Sequence, residues 1–340
     1  MSDLRIDIGL VVPPHQAAER ARDLAATGVD GLFTFENAHD VFFPLVMAAS
    51  TTDVDLMTNV AIAFPRSPIH LAHAAYDMQV LSQGRFRLGL GSQIKPQIER
   101  RYGATWSRPA ARMREMVLAI KAIFACWERE APLDFRGEFT THTLMTPYFD
   151  PGPNPYGPPP VLVGALGPRM TEIAAEVADG LLVMPFNSER HLRERTVPAI
   201  MRGRATGGRA RGDLEIIAEV IVATGRTDQE LTEAAAGAKT LLAFYGSTPS
   251  YRPVLEVEGW GDLQPELRAM SKRGEWQQMT DLIDDAMLNK LAVWGTPAEC
   301  ALRIVERFGW LADRICCYFP YASITDERVA ELVAAIRTVG

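Results

Sequence analysis

Asp55-Leu-Met-Thr-Asn-Val-Ala-Ile-Ala-Phe-Pro-Arg-Ser-Pro-Ile-His70 leads through a helical run into Ser82-Gln-Gly-Arg-Phe-Arg-Leu-Gly-Leu-Gly-Ser92, and this stretch decides the fold. Leu56 to Phe64 is apolar, short and compatible with a β-strand. Pro65, Ser67 and Pro68 end it and open a helix, because proline fixes φ and suits a first helical turn. Leu71 to Leu81 carries apolar residues at helical spacing, Gly84 stops it, and Arg85 to Leu90 is a second strand. Strand, helix, strand in that order is a parallel βαβ unit with a crossover. Its ligand-binding rim lies at the carboxyl ends of the strands.

Outward from this unit the same alternation repeats. Arg5 to Val12 reads as strand 1 and is broken by Pro13-Pro14; His15 to Ala26 is helical, and Gly31 to Glu36 is strand 2. Phe43 to Thr51 is helical, and Arg112 to Trp127 carries one apolar stripe. Val161 to Ala165, Gly180 to Met184, Glu215 to Ala223 and Arg314 to Phe319 read as strands 5 to 8. Helices are expected from Pro168 to Ala178, Arg190 to Arg202, Asp228 to Phe244, Gln277 to Lys290, after Pro297, and from Asp326 to Val339. Eight alternating units predict an α/β fold, a (β/α)₈ TIM barrel over residues 1–340, with a doubly wound open sheet as the alternative. Leu10, Phe33, Ile62, Leu90, Val163, Val183, Val222 and Cys316 are expected in the strand layer. Two excursions interrupt it: 135–160, rich in Pro and Gly, and 246–295, rich in aromatic and charged residues. Both exceed ordinary connections, and at least one is expected to cover the mouth.

The chain has 340 residues, 47% of them hydrophobic and 23% charged, as in an ordinary soluble globule. A net charge of -7 without a basic run argues against a broad nucleic-acid surface. The sequence has no apolar run of spanning length, and the amino terminus has charges where a signal core would be apolar, so a cytoplasmic protein is expected. Cys126, Cys300, Cys316 and Cys317 lack zinc-ligand spacing and read as core thiols. His70 and His73, three apart on a helix, have no acidic partner at metal spacing, and no metal site is expected.

Glu36, Asn37, His39 and Asp40 follow strand 2 and belong at the barrel mouth. A histidine there beside an aspartate is suited to proton transfer near neutral pH. Gly89-Leu-Gly-Ser92 looks like a phosphate loop, but lacks the GxGxxG spacing and the P-loop lysine. Ala165-Leu-Gly-Pro168 joins a strand end to a helix start, whose free N–H groups suit an anion.

Together these residues resemble the bacterial luciferase-like monooxygenase superfamily, and within it the coenzyme F420-dependent oxidoreductases. The resemblance spans nearly the whole chain. It rests on Ser67-Pro68 through Gly91, Ile98-Glu-Arg-Arg-Tyr-Gly103, Val161 through Pro168, Ala178-Asp-Gly180, Gly295-Thr-Pro297 and Asp313-Arg314. It implies a barrel with insertions that holds an isoalloxazine-type ring at its mouth. It also implies a non-proline cis peptide at the end of strand 3, falling by position at Asn59-Val60. Many deazaflavin relatives carry an Asp-His pair after strand 2; here Glu36-Asn37 occupies that place, and His39-Asp40 follows. That is a departure from the family pattern, and His39, at the mouth after strand 2, is the candidate proton donor, with Glu36 or Asp40 tuning it. Asn37, Asn59, Val60, Gln93 and Gln97 would meet the ring, and Ala165, Leu166 and Gly167 the phosphate side. Arg66, Tyr251 and Arg252 are expected substrate contacts. The expected cofactor is F420, with FMN as the alternative, acting on an organic small molecule in a homodimer. An FMN-dependent monooxygenase and a non-catalytic flavin-binding barrel are the rival readings.

Overall fold

The computed structural model describes residues 4–321 and 324–340. Its strands, in chain order, are β1 (Arg5–Gly9), β2 (Gly31–Thr34), β3 (Asp55–Thr58), β4 (Ala61–Ile62), β5 (Phe86–Gly91), β6 (Phe135–Arg136), β7 (Thr141–His142), β8 (Val161–Ala165), β9 (Gly180–Val183), β10 (Glu215–Thr224), β11 (Val293–Gly295) and β12 (Arg314–Tyr318). Helices α1 (Ala17–Ala26), α2 (Phe43–Ala49), α3 (Pro68–Leu81), α4 (Pro109–Trp127), α5 (Pro168–Val177), α6 (Glu189–His191) and α7 (Val197–Gly207) alternate with the first strands. They are followed by α8 (Asp228–Gly246), α9 (Arg252–Val257), α10 (Leu263–Arg273), α11 (Trp276–Asp281), α12 (Asp285–Leu291), α13 (Pro297–Phe308) and α14 (Asp326–Val339).

Parallel pairing runs β1–β2–β3–β5–β8–β9–β10–β12 and returns to β1, which closes the (β/α)₈ barrel and excludes the open sheet. Of the eight residues expected in the strand layer, only Leu10 falls outside, one position past β1. Its amide still donates to the Phe33 carbonyl (2.7 Å), so β1 ends by losing its pairing partner on the β12 side. Leu56–Phe64 is not one strand: β3 stops at Thr58, and β4 resumes against β5 at Ala61. Gln277–Lys290 is likewise two helices, because Asp284 breaks the run and caps α12 by accepting from the Met287 amide (2.8 Å). The run from Arg190 contains a wide turn at Leu192–Thr196 and continues to Gly207.

The largest core lies between strands and outer helices, and a second, small one fills the barrel itself with Phe33, Met57, Leu162, Leu182, Ile217 and Cys316. All four cysteines are buried. The first excursion makes the two-residue antiparallel ladder β6–β7. Its turn is held on Glu115 of α4, which accepts from the amides of Glu138, Phe139 and Thr140 (2.6–2.7 Å). Farther on, Asn154 donates to the Tyr76 carbonyl of α3 (3.2 Å) as the chain returns to the start of β8.

The second excursion is longer than the sequence predicts. β11 pairs with the carboxyl end of β10, Val222 opposite Val293, and α13 is the helix that leads back to β12. A capping box at Thr296 and Glu299, with Pro297 in the first turn, starts α13. Helix α8 therefore belongs to the insertion, which runs from the end of β10 to β11. Its apolar faces pack on Phe186, Ile221, Ala223, Leu166, Met184 and Tyr318, so it stands on the carboxyl ends of β8, β9, β10 and β12. Among the described residues no helix is long and apolar enough to cross a membrane.

Candidate functional site

Side chains alternate along a strand, so each residue two positions beyond the buried centre points inward one layer nearer the mouth. Beyond Phe33, Leu162, Leu182, Ile217 and Cys316 come Phe35, Gly164, Met184, Glu219 and Tyr318. The lower layer is buried and this upper one is only half-buried. The barrel thus opens at its carboxyl end.

One wall of the opening is the junction of β3 and β4. The Asn59-Val60 peptide is cis. The Asn59 amide donates to the Thr34 carbonyl (2.7 Å), while Asn59 Nδ2 is buried without a hydrogen-bond partner among the described residues. Val60 lies so close to β5 and β8 that a Cβ at Gly91 would sit 2.2 Å from its Cγ2, and one at Gly164 3.1 Å from its Cγ1. A Cβ at Gly89 would sit 1.9 Å from the Thr58 carbonyl. The glycines of Gly89-Leu-Gly-Ser92 therefore admit neighbouring chain, and no phosphate loop is needed to explain them. Past β5, Gln93 has a positive φ of 57° and folds back so that its Oε1 accepts from Ile94 (3.0 Å). Gln97 opens a wide turn, and its Oε1 is buried without a partner among the described residues.

Beside this wall, Glu36 accepts from the Ile62 amide (3.1 Å) and from both terminal nitrogens of Arg66 (3.0 and 2.9 Å). Arg66 also donates to the Ile62 carbonyl (2.9 Å) and lies 3.5 Å from Asp40. Burial works against the Arg66 charge, but Glu36 and Asp40 outweigh it and raise its pKa above the ordinary value. Its donors are thus taken up at the loop after β2, and it holds β4 to that loop. Asp40 accepts from the Phe42 amide (2.8 Å) and Asn37 Oδ1 from the His39 amide (2.9 Å), both ordering the loop. Arg101 caps the Asn37 carbonyl (2.8 Å). The His39 side chain is exposed, and among the described residues its ring has no hydrogen-bond partner.

Across the opening, Ala165 ends β8 and its carbonyl accepts from Met184 (3.3 Å). Leu166 packs on the insertion, and Gly167 caps α5 with open space where its Cβ would be. Tyr251 stands over the opening from the insertion, its ring 6.1 Å from Phe186 and 6.0 Å from Tyr245. Arg252 is half-buried and pairs with Glu256 (2.8 Å).

Glu219 was not legible as a site residue. It points into the barrel from β10, opposite Cys316, and no cation pairs with it among the described residues. Burial alone pushes its carboxyl up to about 8. The signal was a lone acid at inward parity in the otherwise apolar Ile216–Thr224 run.

The opposite end of the barrel is closed by charge. Arg314, 1% exposed, donates to Asp7 (2.5 Å) and to Asp55, and lies 3.7 Å from Glu215. Arg87 joins Asp55 (3.2 Å) to Glu215 (3.1 Å). Burial still raises the Asp7 carboxyl to about 6 despite Arg314. A groove of about 560 Å³ lies outside the barrel among α4, α5 and α7. Its charges answer one another, Arg114 with Glu176 and Arg169 and Arg202 with Glu172, leaving none for a ligand. No group of three or more potential metal ligands occurs among the described residues.

Comparison with known proteins bears on this geometry. Residues 4–314 match the model of the luciferase-like monooxygenase family. An uncharacterized protein of Mycobacterium tuberculosis is 47% identical over 321 residues, 94% of each chain. A second protein of that organism, whose name proposes a coenzyme F420-dependent oxidoreductase, is 30% identical over 83% of this chain and 84% of its own. The structure of the coenzyme F420-dependent tetrahydromethanopterin reductase of Methanopyrus kandleri superposes with a TM-score of 0.81 over 99% of both chains, at 18% identity. That last likeness is one of fold.

Proposed function

We propose that this chain, which belongs to the luciferase-like monooxygenase family, is a coenzyme F420-dependent oxidoreductase that moves a hydride between the deazaflavin and an organic small molecule. The observation that carries the reading is that Asn59 Nδ2 and Gln97 Oε1, on the segments that follow β3 and β5, are among the buried polar atoms without a partner among the described residues. Buried polar groups are nearly always paired, so a donor and an acceptor left free there suit a planar ring with its own polar edge. The name of the 30%-identical relative supports F420 over FMN.

Bound in the mouth, the deazaflavin would supply the hydride chemistry. The chain supplies the rest. The Asn59-Val60 backbone backs the ring, kept in place by the close approach of Val60 to Gly91 and Gly164. Asn37 and Gln93 line the loops beside it. Ala165, Leu166 and Gly167 lead into α5, a helix of 10 residues whose free amides suit a phosphate. Glu36, Arg66 and Asp40 fix the loop that carries His39. The exposed imidazole serves as the proton donor or acceptor for the substrate. Tyr251 and Arg252 bring the insertion to the substrate side.

A homodimer belongs to the same proposal. Leu144, Tyr148 and Phe149 of the first excursion are 79%, 91% and 67% exposed, a costly apolar surface for a lone chain. A solution mass near twice 37.5 kDa supports it, and the single value opposes it.

The test of cofactor is a parallel titration of the purified protein with F420 and FMN, followed by fluorescence. Saturable F420 quenching at one per chain, with FMN at least about tenfold weaker, is expected. Tighter FMN binding would favour a flavin monooxygenase. Binding of neither would favour a barrel without this catalysis.

A further inference from the structure

Among the described residues Glu219 is the one inward acid of the upper barrel layer, and none of them pairs a cation with it. On β12, Cys316 faces it in register and Tyr318 follows on the same face. On β9, Val183 pairs with Ala218, which places Met184 at its side. From the insertion come Tyr245 of α8 and Tyr251 just after it. Burial raises the phenols of Tyr245, Tyr251 and Tyr318, and the nearby Glu219 carboxyl raises them further, so all three lie within reach of its charge. Their rings fall in two groups: Tyr245 lies 6.0 Å from both Tyr251 and Phe186, and Tyr318 lies 5.9 Å from Phe35. Glu219, Tyr245, Tyr251 and Tyr318 are all half-buried, so the group faces the opening and not sealed core.

The same barrel shows what a satisfied buried acid looks like. Asp7 has Arg314 against it. Glu219 has aromatic rings where Asp7 has a guanidinium. A carboxylate in low dielectric needs a proton or a cation, and electron-rich ring faces attract cations with little hydration cost.

We propose that the barrel mouth takes a substrate bearing an ammonium group, seated against the Glu219 carboxylate and walled by Tyr245, Tyr251 and Tyr318. This rests on the reading of the mouth as the substrate site. Binding would exchange the proton on Glu219 for the ligand's cation. With the carboxyl at about 8, Glu219 is about nine-tenths protonated at pH 7, so close to one proton leaves per ligand bound.

Benzylamine and its neutral counterpart benzyl alcohol are the probes, titrated by calorimetry at pH 7 in buffers of different ionisation heat. The cation should bind at least tenfold tighter than the alcohol and release about one proton. E219Q, checked for folding by circular dichroism, should lose both the preference and the release. Tyr251→Leu should weaken the amine several-fold and keep the proton release. Equal binding of the two probes, an amine preference surviving in E219Q, or no proton release would each overturn the proposal, as would failure of both probes to bind. F420 is titrated into the same samples. Amine binding without F420 binding removes the hydride reading and leaves the cation site. F420 binding without amine preference does the reverse.

Discussion

The two ends of the barrel handle buried charge in opposite ways. At the amino end, Arg314, Arg87, Asp7, Asp55 and Glu215 come from five different strands and pair with one another, with Arg314 Nε left 3.7 Å from Glu215 and without a hydrogen bond among the described residues. At the carboxyl end, Asn59 Nδ2 and Gln97 Oε1 have no partner among the described residues, and burial alone shifts the Glu219 carboxyl, with no cation against it there. Burying an unpaired polar group costs about 1–3 kcal/mol, and more for a charge. A fold that pairs its buried charges at one end and leaves an acid and two polar atoms open at the other spends stability where a ligand can restore it.

Variants at the two ends should therefore differ in kind. The largest effect is expected from Arg314→Met, which strands the buried Asp7 without its cation while Asp55 keeps Arg87 and Arg5. Urea denaturation at pH 7.5 should show a loss of about 3–5 kcal/mol. The loss should shrink below pH 6, where Asp7 is protonated. A loss under about 1 kcal/mol would show the amino-end network to be ornamental.

His39→Ala lies at the other extreme of exposure. Stability should stay within about 0.5 kcal/mol and F420 affinity within a few-fold, while turnover falls about a hundredfold. His39→Gln should behave alike, because it keeps a hydrogen bond and cannot carry the proton. Near-normal turnover in His39→Gln would reduce His39 to an ordering role in its loop.

Glu219→Gln sharpens the comparison through pH. The folded-state carboxyl is raised from 4.5 to about 8, so the native protein holds a proton that the unfolded chain gives up in that window. Wild-type stability should thus fall, relative to Glu219→Gln, as pH rises from 5 to 8, and level off above. Allowing for the half-open setting, the difference should reach about 1–2 kcal/mol. Parallel curves for the two proteins would mean that Glu219 has a partner. The smallest stability effect is expected from Asn59→Ala, whose Nδ2 bonds nothing among the described residues. Its melting midpoint should hardly move, while F420 affinity drops several-fold. A marked loss of stability with unchanged affinity would move Asn59 from the site to the scaffold.

Much of the fold was legible because strand and helix periodicities are local. The stretch from Asp55 to Ser92 announces its βαβ unit, and the family resemblance places the cis peptide at Asn59-Val60, where it is found. The charge partners were not legible. Asp7, Asp55, Glu215 and Arg314 are far apart in sequence, and only barrel closure brings them together. Arg66 and Glu36 illustrate the same limit: each reads alone as a site residue, and the fold makes them one another's partner. Helix α8 fails differently. Its periodicity shows a helix and a buried face, but not that the face covers β10 from above. Glu219 carried a signal, a single acid in an apolar strand, whose meaning depended on which way that strand faced.

Amide hydrogen exchange with and without F420 tests the contrast between the two ends most directly. The account predicts new protection in 35–40, 59–66, 92–102 and 165–171, around the mouth. It predicts no change at 5–7, 53–55 and 313–315, around Arg314, or along the outer groove of α5 and α7. Protection centred on the amino end or on that groove, with the mouth unchanged, would contradict it.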